Sequence, residues 1–191
     1  MAAALTLALV GCNNMPSDTA MHPVNQKALD TFASSAQLTF EVIDNNDASF
    51  CDKEVDGGNC VKSVISITAD KNFMASGWEI YFSQVHPVES VDSDLVTMEH
   101  ITGDMHVIRP TDKFMGIKAG ETLSIPYVAR NWYLSESDLF PNYFIVGEGL
   151  KARVIDKNQV NGYVRRGNRK NLRSQIEAYH YLKHLEKIDN D

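Results

Sequence analysis

Between Gln37 and Ile155, apolar and polar side chains alternate in short runs separated by turn residues, which is the period of half-buried β-strands. Leu38, Phe40 and Val42 alternate with Thr39, Glu41 and Ile43 until Asp44-Asn45-Asn46-Asp47 ends the run. Val61, Ser63, Ile65 and Ile67 form a second face, and Asp70-Lys71-Asn72 turns the chain. Trp78, Ile80 and Phe82 line one side of a third strand, with Glu79 and Tyr81 on the other, and His86-Pro87 breaks it. Leu95–Ile101 and Met105–Arg109 read as a hairpin through Thr102-Gly103-Asp104. Leu123, Ile125, Tyr127 and Ala129 alternate after the Ala119-Gly120 turn, and Trp132–Leu134, Tyr143–Val146 and Ala152–Ile155 complete about nine short strands. This spacing predicts an all-β sandwich over residues 37–158. No long helical period interrupts the strands, which disfavours a repeating βα fold.

The flanks differ in pattern. Residues 13–36, rich in Asn, Ser, Ala and Pro, read as a tether with a short helical turn near Gln26–Phe32. Residues 159–191 read as a basic linker and a helical tail. There Ser174-Gln175-Ile176-Glu177 fits a capping box, and Ile176, Tyr179, Leu182, Leu185 and Ile188 make an apolar stripe. Residues 1–12 resemble the end of a secretory signal. Leu9-Val10-Gly11-Cys12 resembles a lipobox, so Cys12 is the expected lipidation site, and Asn13 favours outer-membrane attachment facing the periplasm. On this reading the membrane is touched only through a lipid anchor, because Ala2–Val10 is too short to span a bilayer.

Charge narrows the partners. The chain of 191 residues carries a net charge of -7, which argues against nucleic acid as the main partner. From Gly162 onward seven basic residues face four acidic ones, so the acidity is concentrated in the preceding part. Cys51 and Cys60 flank the turn sequence Asp56-Gly57-Gly58-Asn59, and export makes a disulfide between them the expected state. No second Cys pair or nearby His completes a zinc site. His180 and His184 lie four apart with no third ligand placed to help, so neither metal nor cofactor is expected.

Several phrases carry a family resemblance: Ser76-Gly77-Trp78, Ile80-Tyr81-Phe82-Ser83, Ser90-Val91-Asp92-Ser93, Glu99-His100-Ile101-Thr102-Gly103-Asp104, Lys118-Ala119-Gly120, Trp132-Tyr133-Leu134-Ser135-Glu136-Ser137-Asp138 and Pro141-Asn142-Tyr143. In order and spacing they resemble the N-terminal domain of chitobiase-type β-N-acetylhexosaminidases of glycoside hydrolase family 20. The resemblance covers about residues 37–155. It implies an immunoglobulin-like, cellulose-binding-module-like β-sandwich, followed in the family by a small α/β domain and a catalytic barrel. The family's chemistry is substrate-assisted and uses an Asp-Glu pair in that barrel. This chain has no Asp-Glu dipeptide and no room for a barrel of roughly 250 residues, so no catalytic residue carries over.

The expected function is therefore that of a non-catalytic, carbohydrate-binding-like domain, here a truncated product of a glycosidase that removes terminal N-acetylglucosamine. The expected partners are chitin oligosaccharide or the family's catalytic domains. The alternative is a stand-alone envelope lipoprotein used for protein docking. Candidate sugar platforms are Trp78, Tyr81, Trp132 and Tyr133, weighed against core packing of the same rings. Neighbours on a strand point to opposite faces, so a buried Trp78 places Tyr81 outside.

Overall fold

The computed structural model describes residues 20–45, 51, 60–131, 133 and 142–161, with 158–161 described by backbone alone. Cys12, Trp132, the Asp56–Asn59 turn and everything after Asn161, including the expected tail helix with His180 and His184, lie outside the described residues, whereas residues 159–161, expected to open the basic linker, belong to a strand of the sandwich.

Two five-stranded sheets face each other. The first contains β2 (Gln37–Asn45), β3 (Cys60–Thr68), β6 (Val88–Val91), β9 (Thr122–Arg130) and β12 (Asn158–Asn161), in the order β12-β2-β3-β9-β6. The second contains β5 (Trp78–Ser83), β7 (Val96–Thr102), β8 (Met105–Pro110), β10 (Tyr143–Gly147) and β11 (Arg153–Val154), in the order β11-β10-β5-β8-β7. Within these two sheets pairing is antiparallel except that β12 runs parallel to β2. The fold is the all-β sandwich that the alternation predicts.

The alternation decides which side chains enter the core. Leu38, Phe40, Val42, Ile65, Ile67, Ile125 and Tyr127 come from the first sheet, and Trp78, Ile80, Phe82, Ile108, Tyr143 and Ile145 from the second. Each large apolar side chain taken out of water this way contributes about 1.5–3 kcal/mol. The β7–β8 hairpin turns through Gly103, whose φ of 56° lies in the left-handed region that glycine adopts without a Cβ penalty.

The structure departs from the expected tether. β1 (His22–Pro23) pairs in parallel with β4 (Ala75–Ser76), and α1 (Gln26–Ser35) is a ten-residue helix. Asn25 caps α1 by accepting a hydrogen bond from the Ala28 N–H at 3.0 Å. Leu29, Phe32 and Ala33, spaced for one helical face, are buried against the sandwich. The Phe32 ring sits 4.2 Å from that of Phe73. Arg153 also pairs with Asp30 at 2.7 Å, and Gln26 exchanges hydrogen bonds with the Lys151 backbone. Residues from Met21 onward therefore belong to the packed body, because α1 has an apolar face that the sandwich covers.

Cys51 and Cys60 are disulfide-bonded, as expected, with Cα atoms 5.6 Å apart. Cys60 opens β3 and is fully buried, so the bridge ties Cys51 to the core at the point where the strand begins.

Candidate functional site

The four candidate rings separate by burial. Trp78 is 1% exposed, with its ring 5.3 Å from Phe114 and 6.0 Å from Phe73. Tyr133 is also 1% exposed, edge-on to Phe40 at 6.1 Å. Its backbone is clamped by Asn45, which accepts from the Tyr133 N–H and donates to the Tyr133 carbonyl, both at 2.9 Å. Both rings are core members whose faces are occupied by other side chains, so they do not serve as platforms. Trp132 lies outside the described residues. Tyr81 alone of the described candidates stands on the outer, solvent side of a sheet.

Register determines what Tyr81 meets there. On the β11-β10-β5-β8-β7 sheet, Tyr81 is opposite Phe144 on one side and Val107 on the other, and Val154 is opposite Phe144. The Tyr81 and Phe144 rings stack at 5.3 Å with 7° between their planes. Both rings are half-buried, with Val107 beside Tyr81 and Val154 beside Phe144 on the neighbouring strands. Val154, 64% exposed, extends the apolar strip toward the sheet edge. Ile101, at the end of β7, is 43% exposed.

A polar network adjoins this strip. The Tyr81 hydroxyl donates to Glu79 Oε2 at 2.7 Å, and Arg109 Nε donates to Glu79 Oε1 at 2.6 Å. Arg109 also donates to Glu99. The Arg109 hydrogen bond holds the Glu79 carboxyl below its ordinary pKa, so Glu79 is ionised at neutral pH. The bond from Tyr81 to Glu79 pushes the tyrosine pKa up and keeps it a donor. Beyond the network, a groove of ≈ 480 Å³ runs between the ends of β5, β8 and β10, with Trp78, Glu79, Arg109, Val146 and Glu148 among its lining residues.

Phe144, Glu79 and Arg109 were not among the predicted site residues. Their signal was present as the outward positions of Trp78–Phe82, Met105–Arg109 and Tyr143–Val146, but the pairing that joins them is long-range. A ring pair beside fixed donors and acceptors is suited to an amphipathic ligand with an apolar face and a rim of hydroxyls. Among the described residues no group of three or more His, Cys, Asp or Glu could hold a metal ion.

A second polar cluster is buried between the sheets. Tyr127 donates to Gln84, and Gln84 donates to the His86 carbonyl. His106 is fully buried, stacks on Phe82 at 5.3 Å and lies 4.9 Å from the His100 ring. Its Nδ1 lies 3.0 Å from the Asp104 carbonyl oxygen, whereas its Nε2 finds no partner among the described residues. Burial lowers the His106 pKa and raises those of Tyr127 and Tyr143, so this cluster is held neutral.

Residues 35–187 match a family model described as "Putative carbohydrate binding domain". The chain is 36% identical over 134 residues to a beta-hexosaminidase from Vibrio vulnificus, an alignment covering 69% of this chain and 16% of that protein. It is 28% identical over 160 residues to the N,N'-diacetylchitobiase of Vibrio harveyi, covering 81% of this chain and 17% of that protein. The chain thus spans about a sixth of the length of these relatives. A stretch of 38 residues is 63% identical to polyphosphate kinase from Vibrio vulnificus strain YJ016, which is 20% of this chain and 5% of that enzyme.

Proposed function

The chain belongs to the carbohydrate-binding-domain family whose model it matches, and on that premise we propose that its outer sheet face binds chitin-type oligosaccharide. The observation that carries the proposal is the stacked Tyr81–Phe144 pair set directly against the Glu79–Arg109–Glu99 network. A pyranose has apolar C–H faces and a rim of hydroxyls. The half-buried apolar strip of Tyr81 and Phe144 suits the first, and the adjoining carboxylate and guanidinium groups suit the second. N-acetylglucosamine polymers are the favoured class because the similar proteins include a hexosaminidase and a diacetylchitobiase. The domain would then hold substrate near catalysis carried elsewhere in a longer polypeptide. Lipidation at Cys12, with the domain facing the periplasm, is proposed on the Leu9-Val10-Gly11-Cys12 sequence alone.

Calorimetric titration with N-acetylated chito-oligosaccharides tests the binding proposal. We expect saturable binding that Phe144→Ala weakens at least fivefold while leaving the fold intact. Absence of heat at millimolar ligand would instead favour protein docking on the outer face of this sheet, whose edge strands expose Val154 and Ile101.

A further inference from the structure

We propose, resting on the carbohydrate reading above, that the outer face binds a linear β-1,4-linked sugar chain laid across the strands, one unit per strand over four strands, and not a single sugar or a chain end. Register carries the direction. Glu99 of β7 is opposite Val107 of β8, Val107 is opposite Tyr81 of β5, Tyr81 is opposite Phe144 of β10, and Phe144 is opposite Val154 of β11. These five residues form one straight row across the whole sheet. Along β5, by contrast, the same-face neighbours of Tyr81 are Glu79 and Ser83, both polar. Apolar contact from Tyr81 therefore continues across the strands and stops along its own. Adjacent strands lie about 4.8 Å apart, whereas same-face residues of one strand are about 6.6 Å apart. The rings of a β-1,4-linked chain repeat at close to the first distance, so a chain crossing the strands sets one ring over each.

The row changes along its length. Val107 is fully buried and forms a floor, Tyr81 and Phe144 are half-buried, and Val154 is 64% exposed. Glu99, tied to Arg109, ends the apolar part on β7. The apolar contact thus covers β8, β5, β10 and β11, which sets the length at four units. The ion pair of Arg109 and Glu79 runs beside the row on β8 and β5, and Val146 continues that flank on β10, opposite Glu79. A guanidinium and a carboxylate held against each other present donors and acceptors in fixed places to the polar groups on one edge of the chain. β7 and β11 are the edge strands, so among the described residues no further strand closes the row at either end. A row open at both ends suits the interior of a chain.

The test is calorimetry on the whole chain with N-acetylated chito-oligosaccharides of two, four and six units. Affinity is expected to rise about tenfold from two units to four and by less than about twofold from four to six. Val154→Ser, an exposed change at the β11 end of the row, should weaken the tetrasaccharide about threefold and leave the disaccharide, seated on Tyr81 and Phe144, unchanged. Val85→Ser, exposed outside both sheets, is the control and should change neither. Equal affinity for two and four units, a second tenfold gain from four to six, or a Val154→Ser variant that spares the tetrasaccharide or weakens both sugars alike would overturn this inference and leave the carbohydrate reading standing. Failure of all three sugars to bind would overturn the carbohydrate reading and this inference with it.

Discussion

Replacing Phe32 with alanine tests whether α1 is part of the domain or a strap lying on it. Phe32 is 4% exposed, and its ring contacts that of Phe73 at a centroid distance of 4.2 Å with a 36° tilt. It shares the buried face of α1 with Leu29, which is fully enclosed, and Ala33. Truncating a buried phenylalanine removes its transfer free energy and leaves a cavity that neighbours fill only in part, for a typical loss of 3–5 kcal/mol. Phe73 packs in turn on Trp78, so the cavity opens inside the main core and not at its margin. With a urea slope of roughly 2 kcal/mol per molar, the unfolding midpoint should fall by about 2 M. Equilibrium urea unfolding followed by far-ultraviolet circular dichroism measures this directly. Lys27→Ala, an exposed position on the same helix, is the control and should change stability by less than about 0.5 kcal/mol. A loss below about 1 kcal/mol for Phe32→Ala would refute the packing argument and return residues 13–36 to the role of a tether.

Two further outcomes follow from the same structure. Burial lowers the His106 pKa, so the folded state favours neutral imidazole while the unfolded chain binds a proton near pH 6.5; the stabilisation is complete above that pH and declines below it, by at most about 1.4 kcal/mol per pH unit until the folded-state pKa is passed. Urea unfolding at pH 7.5 and 5.5 should show this loss in the wild type and not in His106→Phe, whereas identical slopes in both would refute it. Removing the Cys51–Cys60 bridge, which closes a sequence separation of nine, should cost about 2–3 kcal/mol of stability with little change in ligand affinity. A double Cys→Ala variant checks this by unfolding and calorimetry, and an undiminished unfolding midpoint would contradict it.

Much of the sandwich was legible because strand parity is local. In β9, Leu123, Ile125, Tyr127 and Ala129 are buried at alternate positions, as their sequence spacing requires. Parity also linked Trp78 to Ile80 and Phe82 and put Tyr81 opposite them, which the structure bears out. What parity could not give was the partner of Tyr81. Phe144 lies far along the chain, and the β5–β10 register that joins the rings depends on the whole sheet order. Candidate choice by residue type also favoured Trp and Tyr and so passed over a phenylalanine. Tyr133 was ambiguous for a related reason: its burial rests on Asn45, an apparent turn residue that reaches across to hold its backbone. α1 was underestimated because a ten-residue helix rich in Ser and Ala is marginal alone, and its stability comes from the sandwich that covers Leu29 and Phe32. The Asn25 cap three residues before Ala28 was the local cue.

The most direct test of sugar recognition by the outer face is residue-resolved. Backbone amide shifts should be followed by nuclear magnetic resonance as an N-acetylated chito-oligosaccharide is titrated in. The account predicts saturable shifts centred on Tyr81, Val107, Arg109 and Phe144, with the outer positions of β2 and β3 unmoved. Shifts confined to the opposite sheet, or none at saturating sugar, would contradict it.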